Sequence, residues 1–261
     1  MISDPLFWLV SILGVFLTGI SKSGFAGGAG VVAVPLMALV MPLEQSVAIM
    51  LPLLIIMDIK MVRIHWRHVP WPVVKSLLPG AILGISAGGL AMQWLNASLL
   101  MLLLGTLSIV FAAWGTISQK IKHHYQSLKN EASPKRSFLS PLSSPALWGG
   151  FSGLTSTLLH AGGPPIHMYL LLAQLQKHHW LAITAVFFAV MNWIKVVPYS
   201  LNNAWDGSVF WVTLLLAPVA YMGILTGHSI AKRLSEEIFM RVCRGLLFLS
   251  GVGLWLKVLF S

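Results

Sequence analysis

Apolar residues in this chain form long unbroken runs instead of alternating or one-faced patterns. The runs cover residues 6–20, 31–41, 46–62, 72–94, 98–118, 145–160, 165–173, 178–200, 208–231 and 239–260. A helix that is hydrophobic all round is buried in protein or lipid, and a span needs ~20 mostly apolar residues. The pattern therefore predicts an all-α polytopic membrane protein. The runs at 6–20, 31–41, 145–160 and 165–173 are too short to span comfortably; at 1.5 Å per residue an eleven-residue helix reaches only about 17 Å. They come as two pairs, each joined by a glycine-rich break.

The two halves repeat. At an offset of 134, Thr18 and Gly19 fall on Ser152 and Gly153, Ser21 on Thr155, Ser23 on Thr157, Gly28 on Gly162, Ala48 and Ile49 on Ala182 and Ile183, and Met57 and Asp58 on Met191 and Asn192. An offset of 139 places Pro79, Ala81, Gly84 and Gly88 on Pro218, Ala220, Gly223 and Gly227. Three such runs in one order mark internal duplication. The expected organisation is an N-terminal repeat at 1–118, a polar cytoplasmic linker loop at 119–144 and a C-terminal repeat at 145–261.

Charge orients the halves. Connections at 63–71, 119–144 and 232–244 carry Lys and Arg, whereas those at 93–96 and 201–207 carry none, so the first group is expected in the cytoplasm. Counting crossings then gives two inverted-topology repeats, each a Gly-broken helical hairpin followed by three transmembrane helices, with both termini outside. No small-residue cleavage site follows the first run, which is expected to be retained.

Composition agrees: 57% of residues are apolar, 9% are charged and mean hydropathy is +0.82, too little polar surface for a soluble globule of this size. The net charge of +10 lies in short clusters between apolar runs, which excludes a nucleic-acid footprint. Cys243 is the only cysteine and cannot form an internal disulfide. Metalloprotease and Walker A patterns are absent from the sequence, and no catalytic residue, cofactor or metal is assigned.

Inverted repeats with broken helices point to a secondary transporter whose site lies near the membrane midplane. The first break carries Ser21, Lys22, Ser23, Gly24, Gly27 and Gly28; the second carries Thr155, Ser156, Thr157, His160, Gly162 and Gly163, with Pro165 read as a first helical residue. Glycine before a helix N-terminus lets an anion approach free N–H groups. Close helix packing is the alternative, and it suits Gly84, Gly88, Gly223 and Gly227. Lys22 is the sharpest candidate, because a charge inside an apolar run costs ~2.5 kcal/mol or more unless matched or hydrated; snorkelling to the surface is its other reading. Asp58 either pairs with nearby Lys60 and Arg63 or couples a proton. Asn192, its repeat mate, can donate to a substrate oxygen. His160 can donate to an anion, carry a coupled proton or sit as a satisfied buried histidine. His167 and Lys195 are weaker candidates, and Lys195 with Trp193 and Tyr199 reads equally as an interfacial anchor.

The stretch from Gly19 through Ser21, Lys22, Ser23, Gly24, Phe25 and Ala26 to Gly27 and Gly28, with Val34 and Pro35, and the run Gly162-Gly163-Pro164-Pro165 with Tyr169, resemble the TauE/SafE family over nearly the whole chain. The resemblance implies an exporter of sulfite or of an organosulfonate such as sulfoacetate. An alternating-access carrier is the leading expectation, with an anion channel and a non-transporting assembly scaffold as rivals. Its expected partners are a small anionic substrate and the lipid of a bacterial-type inner membrane; a homodimer is compatible with the sequence.

Overall fold

The computed structural model describes residues 4–24, 32–129, 144–172, 177–233 and 236–260. Among them the chain is all helical. Helix α1 (Pro5–Gly24) and the short α2 (Ala33–Val40) form the first hairpin, followed by α3 (Leu43–His65), α4 (Trp71–Ala91) and α5 (Ala97–Lys129). Helix α6 (Pro145–Leu159) and the short α7 (Gly163–Leu172) form the second, followed by α8 (Lys177–Leu201), α9 (Gly207–Arg233) and α10 (Glu236–Leu259). Five helices, α1, α4, α8, α9 and α10, contain stretches long and apolar enough to cross a membrane.

Two expected boundaries move. Helix α1 has 20 residues, about 30 Å, so it is long enough to span where the hydrophobic run alone was too short. Ser21, Lys22 and Ser23 continue the helix instead of breaking it, and the Ser23 hydroxyl donates to Gly19 O at 3.1 Å, which satisfies it without solvent. Helix α5 runs on through residue 129, into the segment expected to be a loop; residues 130–143 of that segment lie outside the described ones.

Side-chain burial follows the repeat. Ala48, Ile49, Met57 and their counterparts Ala182, Ile183 and Met191 are all buried. Large apolar side chains such as Leu83, Leu214, Leu249 and Phe210 face outward, as lipid requires. Trp66, Trp71, Trp94 and Trp205 are exposed. The Asp206 carboxylate accepts from the Ser208 hydroxyl at 2.6 Å and the Val209 N–H at 2.8 Å; these bonds hold its carboxyl below the usual aspartate range and cap α9.

Two tight crossings hold the bundle: α4 lies on α6 and α1 lies on α9. A Cβ on Gly84 would sit 2.1 Å from Gly150 O, and one on Gly88 2.9 Å from the Thr157 Cβ. In the other half a Cβ on Gly223 would sit 2.7 Å from Phe16 O, and one on Gly227 2.0 Å from the Ser23 Oγ. Gly223 and Gly227 are the offset-139 mates of Gly84 and Gly88, and Phe16 and Ser23 are the offset-134 mates of Gly150 and Thr157. The same contact therefore occurs twice, each time between one half and the other. These glycines serve close packing, as the sequence suggested.

Replacing Gly84 with Leu is expected to force α4 off α6 and destabilise the protein by about 1–3 kcal/mol or more. Gly245→Ala, where a Cβ meets nothing within 4 Å, should leave stability unchanged or raise it by about 0.4–1 kcal/mol. Thermal unfolding of both variants in detergent checks the contrast.

Candidate functional site

Polar side chains from both halves converge where α1, α3 and α8 meet. The Lys22 ammonium pairs with Asp58 Oδ1, and Asn192 Nδ2 donates to Asp58 Oδ2 at 2.6 Å. Asp58 and Asn192 are 1% and 2% exposed. They are also repeat mates, separated by 134 residues. A contact between mates lies at the junction of the two halves, where each helix, α3 and α8, meets its own counterpart.

This pairing corrects one reading of Asp58. Its partners are Lys22 and Asn192, not Lys60 and Arg63, and helix geometry explains why: residues two and five places along do not share its face. Arg63 is exposed. Both of its oxygens have a partner. Snorkelling is excluded for Lys22 too, since its side chain is 11% exposed and held by a buried carboxylate.

One helical turn along α8 lies a second cluster, which the sequence undervalued. Lys195 is fully buried; its Nζ donates to Ser156 O at 3.2 Å and Ser156 Oγ at 3.0 Å, and lies 2.9 Å from His160 Nδ1. His160 Nε2 lies 2.8 Å from Val47 O. A carbonyl only accepts, so Nε2 bears a hydrogen and Nδ1 is left to face Lys195. Tyr199, also fully buried, donates to Thr157 O at 2.7 Å and stacks on His160 with ring centroids 6.0 Å apart. The anchor reading of Lys195 and Tyr199 is therefore overturned; only Trp193 faces outward. Positions 192, 195 and 199 lie three and four apart on one helix face, a polar stripe that could have identified Lys195.

The second break is built by α6 itself. His160 ends the helix in the left-handed conformation with φ 50°, a region that few residues besides glycine, asparagine, aspartate and histidine adopt. Ser152 Oγ donates to Gly162 O at 2.7 Å, Thr155 Oγ1 donates to Phe151 O at 2.7 Å, and the Ala161 O lies 3.1 Å from Thr155 Oγ1. A Cβ on Gly162 would meet Ser152 O at 2.8 Å, so glycine is needed there for close backbone approach. Helix α7 begins at Gly163, two residues before the expected start at Pro165. Pro164 and Pro165 lack N–H groups, so the first turn of α7 offers fewer donors than a glycine-led helix would.

The structure thus brings Lys22, Asp58, Asn192, Ser156 and His160 toward one junction, together with Lys195. Ser21 is fully buried, whereas Ser23, Thr155 and Thr157 turn their hydroxyls to carbonyls of their own helices. Gly24 ends α1; Gly27 and Gly28 lie outside the described residues. A narrow cleft of about 20 Å³ is lined by Lys22, Asp58, Met61, Leu181, Thr184, Ala185 and Phe188. That volume holds one water and is too small for an oxyanion.

A family model described as Sulfite exporter TauE/SafE matches residues 11–254, nearly the entire chain. Neither a curated protein nor a solved structure matches.

Removing one partner of a buried pair leaves an unmatched charge. Asp58→Ala is accordingly expected to lower stability by about 3–5 kcal/mol, and Lys22→Met combined with Asp58→Leu to recover most of that loss. Equilibrium unfolding of the single and double variants in detergent reads both effects.

Proposed function

Since the chain belongs to the TauE/SafE sulfite exporter family, a family of membrane transporters, we propose that it is a secondary carrier that exports a small oxyanion such as sulfite, sulfoacetate or another organosulfonate. The observation that carries this reading is the buried charged junction: basic side chains from both halves, at the contact of repeat mates, inside a mostly apolar bundle.

The carrier works by alternating access. The halves act as inverted repeats, a reading supported by the duplicated crossing of α4 on α6 and α1 on α9 and by the distribution of Lys and Arg between connections. The inner membrane is its location, with both termini outside. The geometry corresponds to a closed state, in which Asp58 occupies Lys22 and the cleft admits only water. Opening either side widens the junction enough for the substrate, which meets Ser21, Lys22, Asn192, Ser156 and His160. A channel would need a continuous wet path, which the narrow cleft does not favour.

Purified protein in proteoliposomes is expected to show saturable, substrate-competed flux of sulfite or an organosulfonate. Lys22→Ala should lower that flux about tenfold or more, equivalent to ~1.4 kcal/mol. An ohmic anion current would favour the channel, and absence of flux with any oxyanion would leave the scaffold reading.

A further inference from the structure

The buried junction contains two basic residues and one carboxylate, and they are not equivalent. The carboxylate of Asp58 is held by the Lys22 ammonium and the Asn192 amide, so its charge is already matched. Among the described residues no carboxylate is paired with Lys195. Its three partners, Ser156 O, Ser156 Oγ and His160 Nδ1, are neutral. An ammonium deep in hydrocarbon with only neutral acceptors is electrically incomplete.

Those same partners suit the uncharged amine. As an ammonium, Lys195 donates three hydrogens, one to each acceptor. As an amine, it donates two, to Ser156 O and His160 Nδ1, while its lone pair accepts from the Ser156 hydroxyl, which is free to rotate. In the amine state every hydrogen of the cluster has an acceptor, whereas in the ammonium state the Ser156 hydroxyl hydrogen is left over and is free to donate to a bound oxyanion.

Resting on the carrier reading above, we propose that Lys195 is the residue that pairs with the transported anion, and that it takes up one proton as the anion binds. An empty junction then holds the neutral amine and a loaded one holds ammonium plus monoanion; both are free of net charge apart from the internally matched Lys22–Asp58 pair. The substrate class is a singly charged oxyanion, a sulfonate or hydrogen sulfite, in preference to a dianion. Charged and titratable groups facing Lys195 are few. Asp58 from α3 and Lys22 from α1 act on it electrostatically, His160 follows the end of α6, and Tyr199 is on its own helix. Helix α4, which packs against α8, carries only Lys75, which is exposed.

The test is titration calorimetry of the full-length protein in nanodiscs with methanesulfonate and sulfite, in buffers of different ionisation enthalpy, from about pH 6 to about pH 9. Wild type is expected to take up close to one proton per methanesulfonate bound, with affinity falling about tenfold per pH unit at the alkaline end. Lys195→Gln should abolish binding. Lys195→Arg should bind without proton uptake and with a flat pH profile, because a guanidinium keeps its proton; this pattern separates pairing with the anion from mere support of the fold. Wild-type affinity in a Lys195→Gln variant of unchanged melting temperature overturns the proposal, as does wild-type binding without proton uptake. If wild type binds neither probe, the carrier reading itself fails and this proposal falls with it; binding that survives Lys195→Gln leaves the carrier reading standing.

Discussion

An ionised side chain cannot remain inside an apolar helical bundle unless something of opposite charge or matching polarity meets it, and this requirement organises the centre of the protein. Lys22 ends α1, and the carboxylate that matches it comes from the middle of α3. The second oxygen of that carboxylate is taken by an amide from α8. One carboxyl group thus fixes three helices drawn from both halves of the chain. Its location at the contact of repeat mates means that any motion of one half against the other must pass through it.

Glycine provides the complementary constraint. Helices α4 and α6, and equally α1 and α9, approach so closely that backbone carbonyls occupy the place of a side chain. Small residues permit such crossings in lipid, where association rests on packing instead of on exclusion of water. Each crossing joins the hairpin of one half to a spanning helix of the other. The hairpins are consequently clamped at their sides, while Lys22 in the last turn of α1 and His160 at the end of α6 reach the charged junction.

Much of this was legible in the order of residues. Ten apolar runs correspond to ten helices among the described residues, because lipid demands unbroken hydrophobicity and leaves little ambiguity. Offsets of 134 and 139 anticipated which glycines do equivalent work. The partner of Asp58 was not legible: Lys60 and Arg63 are near in sequence but off its face, whereas Lys22 is 36 residues away and reaches it only through the tertiary fold. Lys195 was undervalued because aromatic neighbours made it look interfacial, although the spacing of 192, 195 and 199 already placed it on a polar stripe. The end of α1 moved for a simpler reason: serine and lysine are poor hydrophobes but acceptable helix formers, and the hydrophobic run stops before the helix does.

The account stands on a single location for the anion, between the second break and α8. Hydrogen selenite carries a strong anomalous scatterer in a singly charged oxyanion of the same shape class as hydrogen sulfite, so diffraction at the selenium edge from crystals soaked with it at mildly acidic pH reports that location directly. A peak within hydrogen-bonding distance of Lys195 Nζ and Ser156 Oγ, with the surrounding helices moved apart, is the predicted result. Anomalous density confined to the protein surface, with the junction still closed around Asp58, would contradict it.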